Sequence, residues 1–257
     1  MRRLRADVDE HNDFLDGFDI TLVHHLVRMD GFGFIFIRQR RINPHIRAYC
    51  RVFNASWLEG GRWYGPWWQG LSSDVRAGLR IDGEPTVEVD FSACHLRLLS
   101  AAAGVTNLTA DGRHHYAATD LHRDVAKLAT NILLNSSNEA EALGALTREV
   151  AIHHSHRGLP PSGYIFAEIK GAFPHLRNLW LTGAGLRLQS IDAEICARVQ
   201  RSLRKQGIPC LSVHDSFIVP QHAKELLMTV MEREFDRACQ RMPNIAFFCR
   251  EIGAVMN

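Results

Sequence analysis

Apolar and polar positions along the 257-residue chain change period several times, and each change marks an element. In "PTVEVDFSACHLRLLSAAAG" they alternate with a period of two up to Asp90. They then recur at helical spacing through Leu96, Leu99 and Ala103. That pattern predicts a strand, a turn and a helix, with Asp90 at the strand's end. Residues 119–135, "TDLHRDVAKLATNILLN", predict one helix with Thr119 or Asp120 as N-cap. Residues 139–152 predict another, ended by "RGLPPSG". A long helix is expected from Gln189 to Gln206, with Ile191, Ile195, Val199 and Leu203 in register and Gly207 and Pro209 stopping it. "LSVHDSFIVP", residues 211–220, reads as two buried strands around a turn that holds Asp215, and "AKELLMTVMEREFDRACQRM" as a closing helix. Nearer the N-terminus, "DITLVHHLVRM" predicts a helix and "GFIFIRQ" a strand. "NASWLEGGRWYGPWWQGL", dense in glycine and aromatics, predicts a loop.

Composition narrows this only a little. Apolar content of 46% and charged content of 23% are those of an ordinary globular protein, and the length suits one large domain or two small ones. A net charge of +2 does not by itself argue for nucleic acid. Arginine dominates the basic residues, in "MRRLR" and "FIRQRRINPHIR". Arginine suits bidentate phosphate contacts, although a GC-rich genome that favours arginine codons explains the bias equally well. The six cysteines form no C-x-x-C pair, and without a secretory signal they read as reduced thiols in a cytoplasmic protein. Apolar runs such as "GFGFIFI" are too short to span a bilayer, so no membrane partner is expected. The fourteen histidines lack H-E-x-x-H or C2H2 spacing and read as surface or phosphate-facing groups rather than zinc ligands. Trp63, Trp67 and Trp68 fit a core, a base-stacking surface or a partner face.

Two aspartates carry the chemistry. Asp90 ends a strand and Asp215 sits in a turn, each in an apolar context. Burying an unpaired carboxylate costs several kcal/mol, so each must be protonated, hydrogen-bonded or holding a cation. Taken singly, a turn aspartate is structural more often than not. If the two strands are neighbours the carboxylates converge, an arrangement that suits magnesium with substrate phosphates. Two such ions about 3.5–4 Å apart clamp the attacking and leaving oxygens in phosphoryl transfer. Arg123 and Lys127, four residues apart on one predicted helix, share a face that fits a triphosphate or simply solvent. Gln189 opens the helix that leads to Asp215.

These pieces resemble, in order, the motifs of the family A DNA polymerases and the phage-type single-subunit RNA polymerases. "VEVDFSACHLRLLSAAAG" resembles their motif A and "RDVAKLATNILLNSS" their motif B on the fingers helix. "LQSIDAEICARV" is similar to their Q-x-x-A-A-D-I helix, "VHDSFIV" to motif C, and "GGRWYGP" to the G-R-x-Y element ahead of motif A. The resemblance implies that Asp90 and Asp215, with the Phe91 carbonyl, bind two magnesium (or manganese) ions. Arg123 and Lys127 would bind the nucleotide phosphates. Gln189 and His214 would contact the primer-template near its 3′ end, and Arg62 and Tyr64 would lie against template or product. The basic stretches would track phosphates without reading sequence.

The chain departs from that pattern at two nucleotide-binding positions. Asn135-Ser136 stands where the family has Tyr-Gly after the motif B lysine, and His95 where the DNA enzymes have a glutamate that blocks the ribose 2′-hydroxyl. The expectation is therefore an α+β fold: a polymerase palm with a small antiparallel sheet packed by helices, reduced helical fingers and little or no thumb. Residues 1–59 would form an N-terminal region, either a thumb remnant or a nucleic-acid-binding segment, and residues 60–257 the palm with reduced fingers over about 105–188. The implied activity is magnesium-dependent nucleotidyl transfer from nucleoside triphosphates to a 3′-hydroxyl on a nucleic-acid template. DNA is slightly favoured over RNA, because D-F-S-x-x-x-L-R is nearer the DNA enzymes. Small fingers imply low processivity unless a replication partner supplies grip. Primase-like or untemplated synthesis, a non-catalytic palm that binds nucleic acid, and a nuclease or phosphatase that adds Glu88 or His214 to the two aspartates are the alternatives.

Overall fold

The computed structural model describes residues 2–37, 39–105, 116–153 and 159–242. Along the chain run α1 (Arg2–Asp16), β1 (Ile20–Leu22), β2 (Val27–Met29), β3 (Ile35–Ile37), β4 (Arg40–Ile42), β5 (Cys50–Phe53) and β6 (Gly60–Tyr64). Next come α2 (Ser73–Arg76), β7 (Leu79–Ile81), β8 (Glu84–Asp90), α3 (Cys94–Ala102), α4 (Arg123–Asn135), α5 (Glu139–His153) and α6 (Ser162–Ala172). The chain continues through α7 (Gly185–Arg204), β9 (Leu211–Val213), β10 (Ser216–Pro220) and α8 (Lys224–Gln240). Helices and antiparallel sheets together make this an α+β chain. It divides into two compact units, residues 1–91 with 190–237 and residues 92–189 with 238–257. Residues 1–59, expected as a segment of their own, fall within the first unit, and residues 92–104 join the expected fingers in the second. The histidines at 114, 115, 154 and 156, Arg38 and Cys249 lie outside the described residues.

In the first unit an antiparallel sheet runs β1-β7-β8-β10-β9. Every residue of β10 is buried, as expected for a central strand of Phe, Ile and Val covered on both faces. β9 is an edge strand, and its outward backbone groups are capped by side chains. The Tyr49 hydroxyl accepts from the Ser212 amide at 2.7 Å and donates to the Ser212 carbonyl at 3.1 Å, while Gln69 Nε2 donates to the same carbonyl at 3.0 Å. Trp68 Nε1 donates to Tyr49 Oη at 3.0 Å, and the Tyr49 phenol is pushed up by burial. Covered in this way, the edge cannot recruit another chain.

Two stretches depart from the predicted elements, and one helix was not predicted. The stretch expected as a loop contains β6 and a 3₁₀ turn over Trp67–Gly70, and Trp63, Trp67 and Trp68 are all buried core residues. The helix expected over 19–29 is instead β1 and β2. Ile20 and Leu22 also fit a period of two, and pairing of Ile20 with Ile81 and Leu22 with Leu79 on the sheet edge decides between the periods. The charged N-terminal stretch is α1, whose Val8, His11 and Leu15 form a buried stripe. Its charged side reaches α7, with Arg201 on Asp7 at 2.5 Å and Arg204 on Glu10 at 2.6 Å.

The second unit packs α4, α5 and α6 together. Val125, Ala126, Ala129, Thr130, Leu133 and Leu134 form the buried stripe of α4, while Arg123, Lys127 and Asn131 are exposed. The helix is capped at His122, whose Nδ1 accepts from the Asp124 amide, and not at Thr119 or Asp120. Thr119 Oγ1 is committed to the Tyr116 carbonyl at 2.9 Å, closing a 3₁₀ turn that delays the helix. α7 begins at Gly185, four residues before the expected start.

Candidate functional site

The expected strand–turn–helix and the expected hairpin are both present, and sheet pairing joins them. β8 and β10 are adjacent and antiparallel, with Asp90 opposite Ser216, Glu88 opposite Ile218 and Val87 opposite Val219. One residue further on, the Phe91 amide donates to the Asp215 carbonyl at 3.3 Å. Asp90, from a strand end, and Asp215, from the adjoining turn, therefore lie at the same end of two neighbouring strands.

The turn is tight. Val213 pairs with Ser216, so His214 and Asp215 alone reverse the chain. His214 has φ +60, a left-handed conformation usually taken by glycine at the first position of a type II′ hairpin turn. Holding a β-carbon there costs on the order of 1–3 kcal/mol, a strain that persists only where packing over-determines it. The packing is visible. The Tyr64 and His214 rings meet edge to face with centroids 5.3 Å apart, and Asp215 is half-buried. Burial and the Arg62 guanidinium lower the His214 pKa against the opposing pull of Asp215 and Asp192. His214 is thus a neutral imidazole at neutral pH, suited to stacking and hydrogen bonding rather than to neutralising phosphate.

Around the aspartates stand two charge networks that the sequence did not disclose. Arg62 forks onto Asp192, with Nε and Nη2 each 2.8 Å from Oδ2. Asp192 is only 2% exposed, on α7 three residues beyond Gln189. Burial alone would lower the Arg62 pKa; the charge and hydrogen bond of Asp192, and then Asp215, raise it instead. A legible signal existed, since Asp192 interrupts the apolar stripe of Leu188, Ile195 and Val199 at a core-facing position. In the second network, Arg76 forks onto Glu88 at 2.7 and 2.9 Å, and Ser216 Oγ donates to Glu88 Oε1 at 2.5 Å. Glu88 thus accepts hydrogen bonds on both oxygens, from Arg76 and from Ser216.

The remaining expected residues belong to the second unit. His95 is half-buried in the first turn of α3. Arg123 and Lys127 share the exposed face of α4, with Arg123 Nη1 3.9 Å from Asp124 Oδ1. Asn135 ends that helix with its amide on the Asn131 carbonyl at 2.7 Å. A β-carbon at Gly185 would come within 1.8 Å of the Asn135 side chain, so this asparagine is packed against the start of α7. Gln189 is half-buried within α7.

Two carboxylates with a neighbouring backbone carbonyl are the oxygen donors that magnesium takes, with water and phosphate completing its shell. Among the described residues no group of three or more His, Cys, Asp and Glu side chains is placed to hold a metal ion. By type, carboxylate and carbonyl oxygens suit a hard ion rather than the thiolate and imidazole set of a structural zinc site. No helix among the described residues is long and apolar enough to cross a membrane. No protein-family model matches the chain, and no curated protein matches it. The functional reading therefore rests on the strand-end geometry and on the residues that surround it.

Proposed function

We propose that the chain is a minimal magnesium-dependent nucleotidyltransferase, similar in plan to the family A polymerases, that extends a nucleic acid on a template. The observation that carries this reading is the pairing of β8 with β10, which sets Asp90 and Asp215 at one end of adjacent strands. In this reading the first unit is a palm and the second supplies reduced fingers. Asp90, Asp215 and the Phe91 carbonyl hold magnesium, which when bound supplies Lewis-acid stabilisation of the charge that develops on the reacting phosphate. The 3′-hydroxyl oxygen attacks the α-phosphorus, the α–β phosphoanhydride bond breaks, pyrophosphate departs and the hydroxyl proton passes to water.

The chain's own residues have separable parts in that reaction. Arg62 neutralises Asp192, so that the buried charge beside the turn does not repel a phosphate. Tyr64 and His214, packed ring to ring, present a neutral aromatic surface for a terminal base pair. Arg123 and Lys127 bind the triphosphate through their exposed guanidinium and ammonium groups. DNA synthesis remains slightly favoured over RNA synthesis.

The test is extension of a labelled primer-template with magnesium, supplied with dNTPs or NTPs separately, beside Asp215→Ala. Elongation with one nucleotide set, lost in the variant, supports the reading and settles the sugar. Synthesis that survives both Asp90→Ala and Asp215→Ala overturns it. Lys127→Ala should raise the KM for nucleotide; an unchanged nucleotide dependence removes Lys127 from the site.

A further inference from the structure

A second surface of the first unit has its own chemistry. β2, β3 and β4 form a three-stranded antiparallel sheet whose register separates two faces. Directly opposed residues share a face, and successive residues alternate between faces. Met29, Ile35 and Ile42 align on one face, as do Val27, Ile37 and Arg40. Ile35 and Ile42 are buried, and Arg40 folds back so that Nη1 donates to the Gly70 carbonyl at 2.7 Å. This face is covered at Ile35 and Ile42 and open at its margin, where Met29 is 69% exposed.

The other face carries a row across all three strands, Arg28 opposite Phe36 and Phe36 opposite Arg41. Both arginines are exposed and Phe36 is half-buried. Phe34, two residues before Phe36, lies beneath the Arg41 guanidinium, whose carbon is 3.6 Å from the ring centroid. Beyond it, Phe32 stands at the tip of the β2–β3 turn and is 84% exposed. That turn is held in place. The Asp30 carboxylate accepts the Phe32 and Phe34 amides, each at 2.9 Å, and Gly33 takes the left-handed conformation that the reversal requires, with φ +81. Asp30, 3.7 Å from Arg41, is thus already occupied by two amides and a guanidinium.

We propose that this face binds single-stranded nucleic acid, with bases stacking on Phe32 and Phe36 and phosphates held by Arg28 and Arg41. Three features select that occupant. Aromatic rings interleaved with guanidiniums at strand spacing match the alternation of bases and phosphates in an unpaired strand. Phe36 lies between Arg28 and Arg41 in the register and Phe34 is covered by the Arg41 guanidinium, so the aromatic row is flanked by cations rather than by the apolar neighbours that insertion into a lipid layer needs. A duplex hides its base faces and would leave Phe32 in water. The site stands apart from the two-aspartate reading, because it requires neither Asp90 nor Asp215.

The test uses the full chain, fluorescence anisotropy with a labelled short oligothymidylate, and the variants Phe32→Ala, Phe36→Leu and Arg28→Glu. Phe32 and Arg28 are exposed, so those two substitutions leave the fold in place, which thermal unfolding checks. Each variant should weaken binding by about tenfold, the usual effect of losing one stacked base or one phosphate contact. Arg28→Glu should also flatten the salt dependence, and Asp215→Asn should leave affinity unchanged. Equal affinity in Phe32→Ala and Arg28→Glu overturns the proposal. So does Phe32-dependent binding to phosphatidylserine vesicles in place of the oligonucleotide, and so does loss of oligothymidylate binding in Asp215→Asn alone.

Discussion

The five-stranded and three-stranded sheets of the first unit place their chemistry in opposite ways. In the five-stranded sheet, β10 is buried along its whole length, and its chemistry appears only at its end, where Asp215 leaves the turn beside Asp90. In the three-stranded sheet the backbone is just as regular, yet one face meets water and carries Arg28, Phe36 and Arg41 in a row. A strand covered on both faces has nowhere but its termini to expose a polar group, whereas a half-covered strand exposes every second residue. A site of the first kind depends on the interior that fixes the strand ends. A site of the second kind depends on little beyond its own side chains.

That contrast can be broken by substitution. The largest effect is expected at the strand ends. Asp90→Ala or Asp215→Ala should lower magnesium-dependent extension by at least about a hundredfold, as removal of a group that stabilises transition-state charge typically does, with oligothymidylate binding retained. Next comes the support beneath the turn. Arg62→Leu strands the Asp192 carboxylate, 2% exposed, without its guanidinium. Breaking a buried pair from one side costs about 3–5 kcal/mol, which chemical denaturation should register.

The interior also carries a pH dependence. His11 is buried against Tyr49 and Trp63, and burial, followed by Arg204, lowers its pKa from 6.5 to about 3. The unfolded chain therefore takes up this proton first. The stabilising contribution is complete above pH 6.5 and is lost as the pH falls toward 3, by about 1.4 kcal/mol per pH unit at the steepest. His11→Leu should flatten that slope in denaturation curves measured across the same window. Tyr49→Phe should cost about 1–3 kcal/mol, since it leaves the buried Ser212 amide without its acceptor. The smallest effect is on the open face. Arg28→Glu should change stability by no more than about 0.5 kcal/mol while weakening oligonucleotide binding. A large loss of stability there would show that the two sheets are not supported differently after all.

The elements that the chain spelled out unaided are those with one dominant period and a clear stop. β8 ending at Asp90, the helix that follows it, the hairpin around Asp215 and α8 were legible because apolar alternation, helical spacing and a turn residue agree locally. α1 was not, because its stripe of Val8, His11 and Leu15 is hidden among charged neighbours and becomes apolar only when His11 is buried and neutral. The tryptophan-rich stretch read as a loop because its glycines are turn formers, and nothing local says that its indoles cover the edge of β9. Residues 20–22 fit two periods, and their partner strand is some sixty positions away in the chain.

The candidate site divides along the same line. Asp90, Asp215, Arg123 and Lys127 could be singled out from residue type and spacing, since a carboxylate in an apolar segment and two cations one helical turn apart are visible without coordinates. That Asp90 and Asp215 end neighbouring strands, that Glu88 is held by Arg76 and Ser216, and that Asp192 lies buried against Arg62 came only with the fold. The reason is physical. Period and capping are short-range properties, carried by side chains a few residues apart, so the chain alone places those strands and helices in which one period dominates. The partnership of β8 with β10 and the neutralisation of Asp192 by Arg62 join residues more than a hundred positions apart, and only closure of the tertiary structure decides them.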